Sequence, residues 1–171
     1  MTQAIVFAVF PLLLAYAAFS DLLTMTIPNR VSLLLIATFL GLAYAIGFDA
    51  GTVGHHLLAM LVTFIVCFGL FAAGVMGGGD AKLLTATALW FGLGHTLLTF
   101  LLLTTVIGGV LTLLLLKART PAGAYLMARL PLTHNLTNPT MGVPYGIAIG
   151  AAGLICYPDT VIMQWAMANL I

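Results

Sequence analysis

Long apolar stretches without a charged residue divide this chain. Most of them approach the roughly twenty residues that cross about 30 Å of hydrocarbon as a helix. Residues 83–116 also carry no charge but are too many for one helix, and the glycine-containing cluster at 92–95 is a natural break. The pattern predicts six spans, at 4–19, 31–48, 57–76, 83–91, 97–116 and 141–157.

A more polar segment, residues 117–140, follows the fifth predicted span. It contains three basic residues and three prolines, namely Lys117, Arg119, Arg129, Pro121, Pro131 and Pro139. This composition predicts a loop that includes an interfacial helix at about 123–130. The tail, 160–171, is too short to cross a membrane alone, and we expect it at the interface. The predicted fold is all-α, a polytopic membrane protein whose residues 1–171 form a single domain.

Composition supports a membrane protein, because 63% of the residues are hydrophobic and only 5% are charged. Soluble domains carry about a quarter charged residues to keep their surface solvated. The formal net charge of +1 leaves no basic patch, so nucleic-acid binding is excluded as a function class. The first basic residue is Arg30, so the N-terminal segment lacks the start of a signal peptide and is expected to remain as a span.

The basic residues predict the orientation of the chain. With six spans, one side receives Arg30, Lys82, Lys117, Arg119 and Arg129, and the other receives Asp49, His55, His56, His95 and Asp159. Short loops rich in Lys and Arg mark the cytoplasmic side. We therefore expect cytoplasmic loops at about 20–30, 76–82 and 117–142, and both termini outside.

The cysteines and histidines do not have the spacing of a metal site. Cys67 and Cys156 stand alone inside apolar runs, which favours a packing role for both. His55 and His56 are adjacent, so on a helix they point about 100° apart. We interpret these two residues, with His95 and His134, as interfacial polar residues. No metal and no cofactor is expected.

Two acids fall on the predicted cytoplasmic side. Asp21 closes the first span and Asp80 opens the fourth. An ionisable group at a span boundary is costly unless it meets water or a partner, which makes a functional role the working hypothesis. Asp80 could instead cap the helix that follows it. The preceding glycines, Gly77, Gly78 and Gly79, would give room for an extended peptide beside the carboxylate or would act as a hinge.

Gly77-Gly78-Gly79-Asp80 resembles the GxGD signature of membrane aspartyl proteases. The wider string GGGDAKL at 77–83 resembles the type IV prepilin peptidases in particular, as do IPN at 27–29 and VPYG at 143–146. The chain is most similar to the short branch that serves Flp (tight-adherence) pili, of the TadV/CpaA type. The resemblance extends from the first predicted span to the sixth.

This resemblance implies an aspartic endopeptidase at the cytoplasmic face of a bacterial inner membrane. Such enzymes remove a short basic leader from prepilins and pseudopilins, cutting after a glycine just ahead of the apolar pilin helix. By position, Asp21 and Asp80 become the catalytic pair. Larger members carry a cysteine-rich insertion near the N-terminus and also N-methylate the product. Only residues 21–30 join the first two spans here, so N-methylation is not expected.

Other residues of these motifs are candidates for substrate binding or support: Gly77, Gly78, Gly79, Lys82, Pro28 and Asn29. Lys82 would anchor the chain at the interface or would attract an acidic substrate residue. Pro28 and Asn29 would start the second span, since proline is tolerated at a helix start, or would contact substrate. Pro144 would start the sixth span in the same way.

Two neighbouring carboxyls cannot both ionise cheaply, so they share one proton. The ionised partner can deprotonate a water that attacks the peptide carbonyl, and the protonated partner can donate to the developing oxyanion. Paired acids also serve in proton or cation transporters, and a non-catalytic secretion scaffold would use the aspartates only as caps. Against transport, both acids are predicted at one face rather than at the midplane.

Overall fold

A computed structural model describes residues 2–120 and 142–169. Within these ranges all regular structure is helical, which confirms the predicted all-α class. The helices are α1 (Thr2–Thr24), α2 (Asn29–Ile46), α3 (Ala50–Ala72), α4 (Gly78–Phe91), α5 (His95–Ala118), α6 (Tyr145–Cys156) and α7 (Val161–Ala168), with a 3-10 turn (Tyr157–Asp159) between the last two.

Four helices are long and apolar enough to cross a membrane: α1, α2, α3 and α5. A fifth candidate is α6 with its 3-10 turn followed by α7, which together are bent by 47°. Helix α4 has 14 residues, a length of roughly 21 Å at 1.5 Å per residue. The described helices therefore show four or five candidate spans. Six spans and the outside position of both termini stay predictions.

Several helix boundaries differ from the prediction. Helix α1 extends to Thr24, inside the segment 20–30 that was predicted as a loop. Only four residues separate it from α2. The third helix begins at Ala50 rather than at 57, because the side chain of Asp49 accepts the backbone N–H groups of Gly51 and Thr52 and caps it. The loop predicted at about 76–82 lies at 73–77 instead, since α3 ends at Ala72 and α4 already begins at Gly78.

Other predictions about helix ends are confirmed. Helix α4 ends at Phe91 and α5 starts at His95, so the chain breaks at the glycine-containing cluster. Pro28 and Pro144 occupy the caps that precede α2 and α6. Helix α6 starts at Tyr145, later than the predicted 141. The expected interfacial helix at 123–130, together with Arg129, His134, Pro121, Pro131 and Pro139, lies outside the described residues.

Helix α4 is the central element of the bundle. Every residue from Leu83 to Phe91 is buried, so the helix is covered on all sides. An apolar helix without a polar face is the form that suits such a position. Its main neighbours are α2 and α3, with α6 also in contact. The side chains of this part of α4 are therefore placed by several helices at once.

An aromatic cluster fixes the end of α4 that is remote from Asp80. The Trp90 ring lies 4.7 Å from that of Phe10, and its indole N–H donates to the Leu35 carbonyl at 3.2 Å. Tyr157 stacks on Phe10 at 4.3 Å and donates its hydroxyl to the Val6 carbonyl at 2.7 Å. These contacts join α1, α2, α4 and the 3-10 turn at one level of the bundle.

The interfacial interpretation of His56 is wrong. Its side chain is only 3% exposed, and a ring nitrogen pairs with the Leu89 carbonyl at 2.7 Å. That carbonyl belongs to the last turn of α4, where carbonyls have no intrahelical partner. A Cβ on Gly92 would lie 3.1 Å from the ring, so glycine makes room for it. Cys67 and Cys156 are buried free thiols, as their apolar context predicted.

Candidate active site

Asp21 lies in the last turn of α1 and is only 5% exposed. It continues the buried face of that helix, which also carries Phe10, Leu14 and Ala17. The spacing of four, three and four residues places these side chains on one side of a helix. The register that packs α1 against the bundle therefore also turns the carboxyl inward.

A backbone group from the far end of the chain holds the Asp21 carboxyl. The N–H of Gly146 donates to Asp21 Oδ2 at 2.7 Å. Gly146 is the second residue of α6, where N–H groups lack an intrahelical acceptor and the helix dipole is positive. A buried carboxylate needs such a partner. The start of α6 is thus a ready binding position for this side chain.

Gly146 was not among the predicted site residues. A Cβ at this position would lie 2.9 Å from both the Cβ and Oδ2 of Asp21, and 3.0 Å from Ile27. Only glycine lets the backbone approach the carboxyl this closely. The available sequence signal was the place of this glycine in the VPYG motif at 143–146, two residues after Pro144. The contact itself joins positions that are remote in the chain, so local pattern did not reveal it.

Asp80 lies in the first turn of α4, and it does not cap the helix. The cap is Gly77, which makes no side-chain cap bond, so the alternative of a capping aspartate is wrong. A Cβ on Gly77 would lie 2.9 Å from Asp80 Oδ2. The glycine therefore leaves space for the carboxyl, which is half-buried.

The next two glycines allow close packing of the helix start. A Cβ on Gly78 would meet the Phe71 ring at 3.2 Å, and a Cβ on Gly79 would meet Ile27 Cβ at 3.4 Å. None of the three glycines has a positive φ. Their common property is the absence of a side chain, which seats the start of α4 between the end of α3 and the α1–α2 connection.

Asp21 and Asp80 line the same cavity, which has a volume of about 950 Å³. Gly77 and Tyr145 also line this space. The structure thus brings together two acids that stand on different helices, as the sequence predicted.

The remaining predicted residues lie elsewhere. Lys82 donates to the Asn29 side-chain oxygen at 3.0 Å, which ties the start of α4 to the start of α2. Both line a second cavity of about 720 Å³ between α2, α3 and α4, together with Gly78. Pro28 lies at the cap of α2 and lines neither cavity. Lys82 and Asn29 therefore support the helix starts and do not share the cavity of the aspartates.

A sequence model of the type IV leader peptidase family matches residues 8–113, which include both aspartates and the glycine run. The chain belongs to the type IV leader peptidase family. Members of this family are membrane-bound proteases of the aspartic type. No curated protein and no solved structure matches the chain.

The family match ends before α6, so the group that holds Asp21 comes from outside the matched segment. The ring of Tyr145, next to Gly146, fits against α5 at Gly108. A Cβ on Gly108 would lie 2.2 Å from that ring. The surroundings of Asp21 therefore include the start of α6 and the glycine of α5 against which it packs.

We expect Gly146→Ala to lower the rate of peptide cleavage, because the added Cβ pushes the Asp21 carboxyl away and weakens its hydrogen bond. A misplacement of about 1 Å can reduce an enzymatic rate by about 100-fold. Gly109→Ala is the matched control, since a Cβ at Gly109 meets nothing within 4 Å. The measurement is kcat on a prepilin substrate for both variants. Equal rates in Gly146→Ala and Gly109→Ala would contradict a positioning role for Gly146.

Proposed function

We propose that this chain is an aspartic endopeptidase that removes the leader of type IV (Flp-type) prepilins and pseudopilins. The reaction takes place at the cytoplasmic face of a bacterial inner membrane. Asp21 and Asp80 are its catalytic pair. The observation that carries the proposal is that these two acids line one cavity in a chain of the leader peptidase family.

The hydrogen bond from Gly146 to Asp21 indicates different roles for the two acids. Asp21 accepts the Gly146 N–H at the positive end of α6, an arrangement that suits a carboxylate. We assign Asp21 as the ionised base that activates water. Asp80 then carries the shared proton and acts as the acid, because two adjacent carboxyls do not both ionise cheaply.

The reaction balances with these two groups and one water. Asp21 removes a proton as the water oxygen bonds to the scissile carbonyl carbon, and Asp80 donates its proton to the carbonyl oxygen. When the C–N bond breaks, the proton held on Asp21 passes to the leaving amine. The proton on the former carbonyl oxygen returns to Asp80, which restores the starting state. No group other than the two carboxyls and water is needed.

The positions of the basic residues support the cytoplasmic assignment. Arg30 and Lys82 lie at the starts of α2 and α4, and Lys117 and Arg119 lie at the end of α5. In a chain that crosses at each helix, these are the same ends that carry the two aspartates. The positive-inside tendency places that side in the cytoplasm. We include α4 as a short crossing inside the bundle, which gives six.

The family match favours a peptidase over a transporter or a scaffold. A proton relay would need ionisable groups that continue across the bundle. Among the acidic, basic and histidine side chains of the described residues, the buried ones are Asp21 and His56, and His56 lies beside the opposite end of α4. N-methyltransferase activity is not part of the proposal, because only four residues link α1 to α2.

Asp21→Asn and Asp80→Asn should each abolish leader removal, because the amide keeps the size of the side chain but cannot transfer the proton. The chain has two other acids, Asp49 and Asp159, and their Asn variants are matched controls. Asn is also a good helix cap, so Asp49→Asn keeps the start of α3 intact. The assay is the mass of the mature N-terminus of a co-expressed prepilin. Normal processing by either Asp21→Asn or Asp80→Asn would overturn the assignment.

The topology can be checked with single cysteines in a chain whose buried Cys67 and Cys156 are replaced by Ala. Thr26→Cys lies in the α1–α2 connection, after the end of α1 that carries Asp21, and Gly94→Cys lies between α4 and α5. We expect a membrane-impermeant thiol reagent to label Gly94→Cys in intact spheroplasts and Thr26→Cys only after the membrane is opened. The reverse pattern would place the active site outside the cell.

A further inference from the structure

The cavity of the aspartates extends well beyond the carboxyls, along two helices. Its walls are apolar side chains of α3 (Val62, Val66 and Leu70) and of α5 (Leu97, Leu98 and Leu101). Leu84 of the central helix also lines it. We call this part of the cavity the α3–α5 cleft. It begins at the catalytic acids and continues in the direction of the opposite membrane face.

The cleft is open at the side of the bundle. Helix α3 packs chiefly on α4 and α5 packs chiefly on α6, so in the described part of the chain no extensive contact closes the gap between α3 and α5. Val66 is 57% exposed and Leu98 is 60% exposed. In a membrane these surfaces face lipid, which suits an apolar occupant that arrives sideways.

The dimensions fit one helix. Along α5 the lining runs from Leu97 to Thr112, which corresponds to roughly 22 Å of helical rise. A helix is about 10 Å wide, and the open side of the cleft would leave the outer face of such a helix in lipid.

Two hydroxyls in the cleft have no partner in the described chain. Thr63 of α3 and Thr104 of α5 are 4% and 2% exposed, and neither Oγ1 makes a hydrogen bond. Other helical threonines, such as Thr87, Thr99 and Thr112, donate to the carbonyl four residues earlier. An unpaired hydroxyl in an apolar site is unfavourable. Neighbouring atoms cover both oxygens in this structure, so they pair with a polar group of the occupant only after their side chains rotate toward the cleft.

We propose that the α3–α5 cleft receives the apolar helix of the substrate from the lipid, so that the bond ahead of this helix reaches Asp21 and Asp80. Thr63 and Thr104 hydrogen-bond a polar side chain of that helix and set its depth. This inference rests on the proposed leader peptidase function and adds where the substrate binds. Continuity of the cleft with the two acids is what distinguishes the substrate helix from a lipid chain as its occupant.

The test compares two substrates on the full-length protein in lipid vesicles. One is an intact prepilin, and the other is a short peptide that spans the cleavage junction but lacks the apolar helix. Val66→Trp and Leu101→Trp fill the cleft. Ile65→Trp and Leu102→Trp are matched controls, because these neighbours are 61% and 66% exposed and do not line the cavity.

We expect each filling variant to lower kcat/KM for the intact prepilin by about tenfold or more, the effect of losing about 1.4 kcal/mol of binding. Cleavage of the short peptide should stay unchanged, as should both reactions in the control variants. Unimpaired cleavage of intact prepilin by the filling variants, the outcome for a cleft that holds only lipid, would overturn the inference. An equal loss on both substrates would also overturn it. If the unaltered protein cleaves neither substrate, the leader peptidase function itself fails, and the inference falls with it.

The two hydroxyls are tested by Thr63→Val and Thr104→Val, with Thr99→Val on α5 as control because its hydroxyl already pairs with the His95 carbonyl. Loss of one hydrogen bond should raise KM for intact prepilin by about three- to tenfold. The value of kcat and the cleavage of the short peptide should not change. An unchanged KM in both variants would remove the threonines from the proposal.

Discussion

The hydrogen bond between Asp21 and the backbone N–H of Gly146 is the contact on which the site depends. It joins the end of α1 to the start of α6, two elements that lie far apart in the chain. A carboxyl that is 5% exposed needs a compensating donor, and the first turn of a helix supplies one. Gly146 makes this possible because any larger residue would meet the Asp21 side chain. The same contact thus fixes the position of the Asp21 carboxyl and favours its ionised form, as the proposed base requires.

The second acid depends on the central helix. Asp80 is carried by the first turn of α4, and three glycines seat that turn against its neighbours. The other end of α4 is fixed by Trp90 and the aromatic cluster around Phe10. A functional side chain on a helix that is packed along its length is held more firmly than one on a loop. The two acids therefore approach each other from elements with different supports, one from α1 and one from α4.

Residues at the start of α4 line two different cavities. The cavity of the aspartates is continuous with a lipid-facing cleft, whereas the Lys82–Asn29 pair lies on the other side of α4. Lys82 holds two helix starts together and follows Asp80 closely in sequence without sharing its cavity. Sequence proximity to a proposed catalytic residue is therefore a poor guide to contact at a helix start, where successive side chains point in different directions.

Much of the arrangement could be predicted from the sequence, because acidic residues and glycine clusters stand out in so apolar a chain. Asp21, Asp80, the glycine run and the break at 92–95 each interrupt long hydrophobic stretches, and each has a defined structural place. Features that arise from tertiary contact could not be predicted. His56 is buried because an unpaired carbonyl of α4 and the missing side chain of Gly92 meet it. Gly146 matters because of a partner on α1, and the start of α3 is set by the Asp49 cap.

In the proposed mechanism Asp21 and Asp80 act as one unit that holds a single proton. The pH dependence of kcat/KM for leader cleavage by the purified protein in lipid vesicles tests this claim most directly. A pair that must be singly protonated gives a bell-shaped profile, with activity lost when the second proton is bound and again when the last one is removed. We predict that both limbs are present. A profile with only one limb between pH 3 and 9, as one carboxylate acting alone would give, would contradict the shared-proton mechanism.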